Sequence, residues 1–229
     1  MHFTFFPSVI MQLLKNLSIP KQLAIGFAVP VLSIVLLVGY TITSLLTINA
    51  QTALITETDI PLIELLADIE AHQLKQEVAL EKFFRHVHTA PQLARQEKQG
   101  ILALGKLVDE EIRQAVALAE SHGATKDLKL LQHIEASHTS LEAEVEDLIA
   151  AIETNRLSED ALEDYINTVE AHEIAFDEEV RAALLSIEED TDVAIAAITH
   201  TEKRAILTSL FVGLAATVFV VLFGFFIGK

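Results

Sequence analysis

Two long runs without a charged residue frame this chain and limit how it can fold. The first is Gln22–Thr56, mostly apolar over Leu23–Leu46, and the second is Ala205–Gly228. A helix needs roughly 20 apolar residues to cross the hydrocarbon core of a bilayer. The two runs therefore predict transmembrane helices over residues 22–48 and 205–228.

A cleaved signal peptide is the competing interpretation of the first run. Lys15 and Lys21 supply a basic flank, but a signal peptide has an apolar region of only about 7–15 residues, followed by a small-x-small cleavage site. The run here is longer, and the TINAQTA sequence after it offers no good A-x-A motif. We therefore expect an uncleaved anchor, with Met11 as an alternative start to Met1.

The basic residues around the runs set the expected orientation. Lys15, Lys21 and Lys229 lie at the outer ends, whereas Lys203 and Arg204 lie at the inner boundary. Cytoplasmic segments carry the excess of Lys and Arg. We therefore expect a multi-pass membrane protein with both termini inside and the middle of the chain outside.

The middle of the chain is strongly acidic. All 33 Asp and Glu residues lie between Glu57 and Glu202 with only 11 of the 16 Lys and Arg residues, so this stretch has a net charge of −22 (11 − 33). Such a surface repels the phosphates of nucleic acid, so we expect no nucleic-acid partner. The chain has no cysteine, which excludes disulfides and thiolate metal sites.

The acidic segment has helical periodicity with three breaks, and we expect it to form one domain over residues 49–204. Residues 1–21, before the first span, are expected to be a cytoplasmic segment. The breaks are at Thr89–Pro91, at Gly123 and before Ser158, with a left-handed cap expected at Gly123 and N-caps at Thr125 and Ser158. They predict helices over about 49–88, 91–121, 125–154 and 158–204. Short links favour antiparallel neighbours, so the expected fold class is all-α, an antiparallel up-down four-helix bundle flanked by two transmembrane helices.

The apolar residues of these helices step by three and four, as the inner face of a bundle requires. The third helix has Leu131, Ile134, His138, Leu141, Val145, Leu148 and Ile152. The first helix has Leu62, Leu66, Ile69, Gln73, Gln76, Leu80, Phe83 and Val87, and the fourth repeats the pattern from Leu162 to Ile198. We expect His138 to be a hydrogen-bonded core histidine, and Glu173 of the fourth stripe to pair with Gln73 or Gln76.

The opposite face of the first helix carries a second stripe, made of Ile60, Glu64, Ala67, Ala71, Leu74, Val78, Glu81 and Arg85. A bundle needs one apolar stripe per helix, so the second predicts a homodimer contact through Ala67, Ala71, Leu74 and Val78. An ordinary solvated face is the alternative, since single exposed apolar residues are common.

Basic side chains gather beside this second stripe: His72, Lys75, Lys82 and Arg85. A two-fold axis would double them, which predicts a site where both subunits hold an anionic small molecule. The alternative is i,i+4 pairing with neighbours such as Glu77 and Glu81 on a solvated face.

The sequence lacks the motifs of enzymes and metal sites. His86 and His88 are two residues apart and His133 and His138 are five apart, neither of which is the i,i+4 spacing of a helical zinc pair. No phosphate-binding glycine loop, calcium loop or nucleophile motif is present in the sequence. We expect a protein that is not an enzyme and has no cofactor or metal, with an external cation buffer as the weakest alternative.

The opening LKNLSIPKQLAIGF, a long span, the helical segment 49–204 and a second span together resemble the input half of bacterial methyl-accepting chemotaxis proteins. Histidine kinases and diguanylate cyclases share this input layout. The resemblance implies a bundle that dimerises through its first helix and binds amino or organic acids at that interface. Lys75, Lys82 and Arg85 match the cationic residues of the first helix loosely, and His172 is the candidate polar residue on the fourth.

In that family, ligand binding shifts the fourth helix and the second span slightly along the membrane normal. The resemblance therefore implies an input module of a chemoreceptor in a bacterial inner membrane, with the bundle in the periplasm and without the linker and the cytoplasmic signalling domains. Its expected partners are the lipid bilayer, a second copy, and an anionic small molecule or a periplasmic binding protein. The alternative is a membrane-tethered bundle that acts as a structural or interaction partner of full-length receptors.

Overall fold

The structure is a computed structural model that describes residues 18–227, with positions 19, 22, 25, 226 and 227 described by their backbone alone. The expectations for Met11, Lys15 and Lys229, and most of the predicted segment 1–21, lie outside the described residues.

Every regular element in residues 18–227 is helical, which confirms the predicted all-α class for this part of the chain. The elements are α1 (Ile19–Leu54), a π-helical turn (Ile55–Asp59), α2 (Ile60–His86), α3 (Pro91–His122), α4 (Thr125–Glu153) and α5 (Glu159–Ile227). The π-helical turn lies inside the first predicted helix and was not expected from the sequence.

Two of the three predicted helix caps are present. Gly123 ends α3 with a left-handed φ of 69°, and its N–H bonds to the carbonyls of Ala119 and Glu120. The hydroxyl of Ser158 accepts a hydrogen bond from the N–H of Ala161 at 3.4 Å. The prediction that Thr125 caps α4 is wrong, because Thr125 is the first residue of that helix and its hydroxyl donates to the carbonyl of Gly123.

The chain divides into two compact units. Among the described residues, the apolar unit comprises residues 18–51 and 196–227, and the core unit comprises residues 52–195. The predicted domain, residues 49–204, is slightly longer than the core unit. Helix α5 contributes residues to both units.

Four helices of the core unit, α2 to α5, contribute to one hydrophobic core. Every residue of the stripe predicted for α4, from Leu131 to Ile152, is buried. The stripe predicted for α2 is buried from Leu62 to Phe83. Full burial of one such side chain contributes roughly 1.5–3 kcal/mol, so these stripes hold the four helices together.

Polar contacts between helices of the core unit follow a regular order along the chain. Asp59, the last residue of the π-helical turn before α2, contacts Thr191 on α5 at 3.3 Å, whereas Glu70, within α2, contacts Arg181, earlier in α5, at 2.9 Å. Helices α3 and α4 show the same reversal in the pairs Lys98–Glu153 and Asp109–His138. Rising residue numbers in one helix therefore meet falling numbers in the other.

The candidate membrane spans are parts of two helical stretches that begin or end in the apolar unit. Two helical stretches, Gly26–His86 and Glu159–Phe225, are long and apolar enough to cross a membrane. Large apolar side chains in this unit, such as Leu32 and Phe211, are exposed. Gly26 lies against the ring of Phe223, where a side chain on residue 26 would overlap that ring. Small residues allow helices in membranes to approach in this way.

Candidate functional site

The second stripe of α2 lies on the surface of the core unit. All eight of its residues, from Ile60 to Arg85, are exposed. The four predicted dimer residues are among them, and Leu74 and Val78 are 57% and 42% exposed. The stripe is therefore free of the hydrophobic core, and the dimer contact through it stays a prediction.

Three of the five predicted ligand-binding residues contact carboxylates of the protein itself. The Nδ1 atom of His72 lies 3.0 Å from Glu111 on α3. Arg85 donates to Glu81, one turn earlier on α2, at 2.6 Å.

His172 is the third predicted ligand-binding residue that contacts a carboxylate. Its Nδ1 atom lies 2.5 Å from Glu144 on α4. Lys75 and Lys82 are exposed, and neither forms an ion pair within 4.0 Å in the part of the chain that the structure describes. The structure therefore places the predicted cations next to carboxylates or in solvent, and it leaves the predicted anion site untested.

A groove with a different lining lies between α2 and α5. It has a volume of about 390 Å³ and is lined by Glu77, Val78, Glu81, Glu170, Glu173, Ile174 and Asp177. We call it the acidic groove, because five of its seven residues are Asp or Glu. A smaller cavity of about 60 Å³ adjoins it and shares Glu77, Glu81, Glu170 and Glu173. The remaining residues of the smaller cavity are Leu80, Phe84, Leu148, Ile166 and Val169.

Glu173 is the most buried carboxylate of the acidic groove. It belongs to the apolar stripe of α5, between Val169 and Phe176, and is only 8% exposed. Burial raises its pKa, and the charges of Glu77, Glu170 and Asp177 raise it further, to about 7. Because an ionised carboxylate is unstable in apolar surroundings, Glu173 is poised between its two protonation states near neutral pH.

Neither expected partner of Glu173, Gln73 or Gln76, donates a hydrogen bond to it. Gln76 donates to Glu142 at 2.5 Å and to the carbonyl of Ile101 at 3.3 Å. Gln73 is buried, and its Oε1 atom has no hydrogen-bond partner among the described residues. The predicted pairing of Glu173 with Gln73 or Gln76 is therefore wrong, and within residues 18–227 no group donates a hydrogen bond to the Glu173 carboxylate.

Two further carboxylates of the acidic groove have perturbed pKa values. Burial raises the pKa of Glu77, and the nearby charge of Asp177 adds to the effect. Burial also raises the pKa of Asp177, with Glu70 adding to the rise and Arg181 opposing it. The Oδ1 atom of Asp177 is buried and lacks a hydrogen-bond partner in the described part of the chain.

The nearest arginines are paired at the margins of the acidic groove. Arg181 donates to Glu70 at 2.9 Å, and Arg85 donates to Glu81 at 2.6 Å. The lining of the groove itself contains no Lys, Arg or His. Its carboxylates therefore face one another without an equal number of protein cations.

The geometry of these carboxylates does not suit a metal ion. Among residues 18–227, no group of three or more His, Asp or Glu side chains is arranged to hold one. The groove can instead accept a positively charged group that is larger than a single ion and has an apolar part, because Val78 and Ile174 are also in its lining.

The acidic groove was not expected from the sequence, which predicts Glu77 and Glu81 as partners of nearby cations and Glu173 as a satisfied core residue. The available signal was Glu173 itself, a carboxylate at a core position of an otherwise apolar stripe. It indicates a site only once α2 and α5 are known to pack together, because the other groove carboxylates come from both helices.

Comparison of this chain with protein-family models, with curated proteins and with solved structures found no match. A function for this chain can therefore be inferred only from its own residues and contacts.

Proposed function

We propose that this chain is the sensory input module of a transmembrane receptor of the methyl-accepting chemotaxis type. In this proposal, an antiparallel up-down four-helix bundle lies in the periplasm, and two flanking transmembrane helices anchor it in the bacterial inner membrane with both termini in the cytoplasm. The reversed order of contacts between α2 and α5, and between α3 and α4, supports the antiparallel arrangement.

One observation carries the proposal. Helix α5 is uninterrupted from Glu159 to Ile227 and includes both the groove carboxylates Glu170, Glu173 and Asp177 and the second apolar run. A molecule bound in the acidic groove would contact the same helix that is proposed to cross the membrane. It could shift an equilibrium between two placements of α5 only by binding one of them more tightly than the other.

Periplasmic placement can be tested by cysteine labelling, because the natural chain has no cysteine to interfere. Cysteine at Ser140, an exposed position on α4, is expected to react with a membrane-impermeant maleimide in intact spheroplasts. Cysteine at Ser18, before α1, is expected to react only after the membrane is opened. The reverse labelling pattern would overturn the proposed orientation.

Signalling can be tested with a chimera. The chain is joined after α5 to the linker and signalling domains of a characterised chemoreceptor, and kinase activity is measured while a panel of small amines and organic acids is added. A concentration-dependent change in kinase activity is expected for at least one class of compound. A chimera whose basal kinase activity is normal but constant across the panel would count against the receptor proposal.

The exposed stripe of α2 favours a second candidate, a tethered bundle that associates with other proteins. Its Leu74 and Val78, and the neighbouring Ile174 on α5, are exposed apolar side chains. Single cysteines at Ala71 and Val78 separate the possibilities in membranes. Crosslinks between two copies support the homodimer, whereas crosslinks only to a larger, different protein support the interaction partner.

Sensor halves of histidine kinases and diguanylate cyclases have the same layout and remain alternatives to the chemotaxis type. The chimera distinguishes them by its output. A response through a kinase-type or cyclase-type signalling domain, with none through the chemoreceptor domain, would favour those families.

A further inference from the structure

We propose that the acidic groove between α2 and α5 binds an organic cation, namely a small amine with an apolar segment. This inference rests on the proposed sensory function and replaces the anionic ligand expected from the sequence with one of opposite charge.

The first ground is the unpaired carboxylate of Glu173. It is 8% exposed, lines both the groove and the smaller cavity, and receives no hydrogen bond from any of the described residues. A buried carboxylate is destabilising unless a cation or hydrogen-bond donors accompany it. An ammonium group in the groove would supply both the charge and the donors.

The second ground is the excess of negative charge around Glu173. Glu77, Glu81 and Glu170 lie in the same lining, and Asp177 has a buried oxygen without a donor in the described chain. On α2 and α5, Arg85 and Arg181 are held by Glu81 and Glu70, and the exposed Lys75 and Lys82 of α2 are not part of the lining. The side chain that α4 adds to this region, Leu148, has no charge.

The third ground is the shape and chemistry of the space. A volume of about 390 Å³ is within the roughly 300–1,000 Å³ typical of small-molecule sites. Val78 and Ile174 line the groove, and Leu80, Phe84 and Ile166 line the cavity next to it. These surfaces suit a hydrocarbon segment, whereas the described carboxylates have no arrangement for a metal ion.

An anion is disfavoured at the same place. It would bring a further negative charge against five carboxylates, three of which already have pKa values raised by burial and by nearby carboxylates. A cation has the opposite effect and favours ionised Glu173. Binding is therefore expected to release a proton near pH 7 and to strengthen as the pH rises from 6 to 8.

The test uses the full chain in nanodiscs of zwitterionic lipid, studied by isothermal titration calorimetry at 150 mM salt and pH 7.5. The probes are 1,5-diaminopentane, the uncharged 1,5-pentanediol and the dianion glutarate. We expect saturable binding of the diamine only, with an affinity at least tenfold weaker for Glu173→Gln and for Asp177→Asn. The matched control is Glu188→Gln, an exposed acid on α5 outside the groove, which should bind like the natural chain.

Each outcome decides the inference. An equal loss of affinity in Glu188→Gln would mean nonspecific attraction by the acidic surface and would overturn it. Absence of diamine binding, or binding of glutarate, would also overturn it. A melting temperature of Glu173→Gln at or above that of the natural chain shows that its loss of binding does not come from misfolding.

The signalling chimera separates this inference from the proposed function. If the diamine binds and the kinase responds to no compound of the panel, the cation site stands and the receptor proposal fails. If the kinase responds to glutarate and the diamine does not bind, the receptor proposal stands and the cation site fails.

Discussion

Gly105 on α3 faces the carboxylate of Glu142 on α4 so closely that a methyl group on residue 105 would overlap it. The same carboxylate accepts the hydrogen bond from Gln76 on α2 at 2.5 Å. The missing side chain of Gly105 therefore makes room for a polar contact that joins α2 and α4 inside the core unit.

Gly105→Ala is expected to destabilise the core unit by about 1 kcal/mol. The methyl group displaces Glu142 from Gln76, and loss of a buried hydrogen bond costs about 1–3 kcal/mol, which exceeds the gain of about 1 kcal/mol from replacing a helical glycine. In the control, Gly100→Ala, the new methyl group meets nothing within 4 Å and should be stabilising. Thermal unfolding of the full chain in detergent, followed by circular dichroism, measures both. Equal shifts in the two variants would show that Glu142 moves aside freely.

Glu173→Gln is expected to stabilise the protein at pH 8.5 and to have little effect at pH 4.5. The folded-state pKa of Glu173, about 7, is above its ordinary value of 4.5, so the folded chain binds the proton more tightly than the unfolded chain. Stability from this group is therefore greatest below pH 4.5, falls as pH rises through 7, and is lowest above it. The full difference is roughly 3 kcal/mol, at about 1.4 kcal/mol per pKa unit. Melting temperatures across this pH range, with Glu188→Gln as the control, would refute the prediction if the two variants behaved alike.

Phe176→Ala is expected to lower the free energy of unfolding by about 3–5 kcal/mol. The ring of Phe176 is fully buried and packs against His138, with 5.3 Å between the ring centroids. Truncation to alanine therefore leaves a cavity in the core. Leu185→Ala, on the same helix, removes a side chain that is 57% exposed and should cost less than about 1 kcal/mol. Urea unfolding of the full chain in detergent compares the two. Similar losses would mean that Leu185 is covered by a partner.

Gly123→Ala is expected to destabilise the protein by about 1 kcal/mol, because the left-handed φ of 69° is strained for a residue with a Cβ atom. Space is not the reason, since nothing lies within 4 Å of the added atom. Gly123→Asn should cost less, because asparagine tolerates this backbone conformation better than alanine does. The order Gly, Asn, Ala in melting temperature is the result to look for. An alanine variant as stable as the natural chain would indicate that the link between α3 and α4 can change conformation.

Much of the helical architecture follows from local sequence signals. The three-four spacing from Leu131 to Ile152 requires one buried face, and that face is the one found in the core. Gly123 and Ser158 act as caps because their backbone and side-chain preferences are local properties. These features depend on near neighbours in the chain, so periodicity and cap chemistry predict them.

Contacts between helices could not be predicted in the same way. Whether Gln76 meets Glu142 or Glu173 depends on the rotation of each helix and on the space left by Gly105. The π-helical turn at Ile55–Asp59 has no local sequence signature, and it changes which residues before α2 share a face. The candidate site escaped prediction for the same reason, since its carboxylates come from two helices about a hundred residues apart.

A carboxylate at a core position has a consequence for how this sequence changes under selection. Mutation and screening for heat resistance alone should repeatedly recover neutral residues at position 173, because they remove the most buried charge of the groove. Screening for a response to an amine should instead retain Glu173. The residue found at position 173 would then show whether a lineage was selected for thermal stability or for its response to the amine.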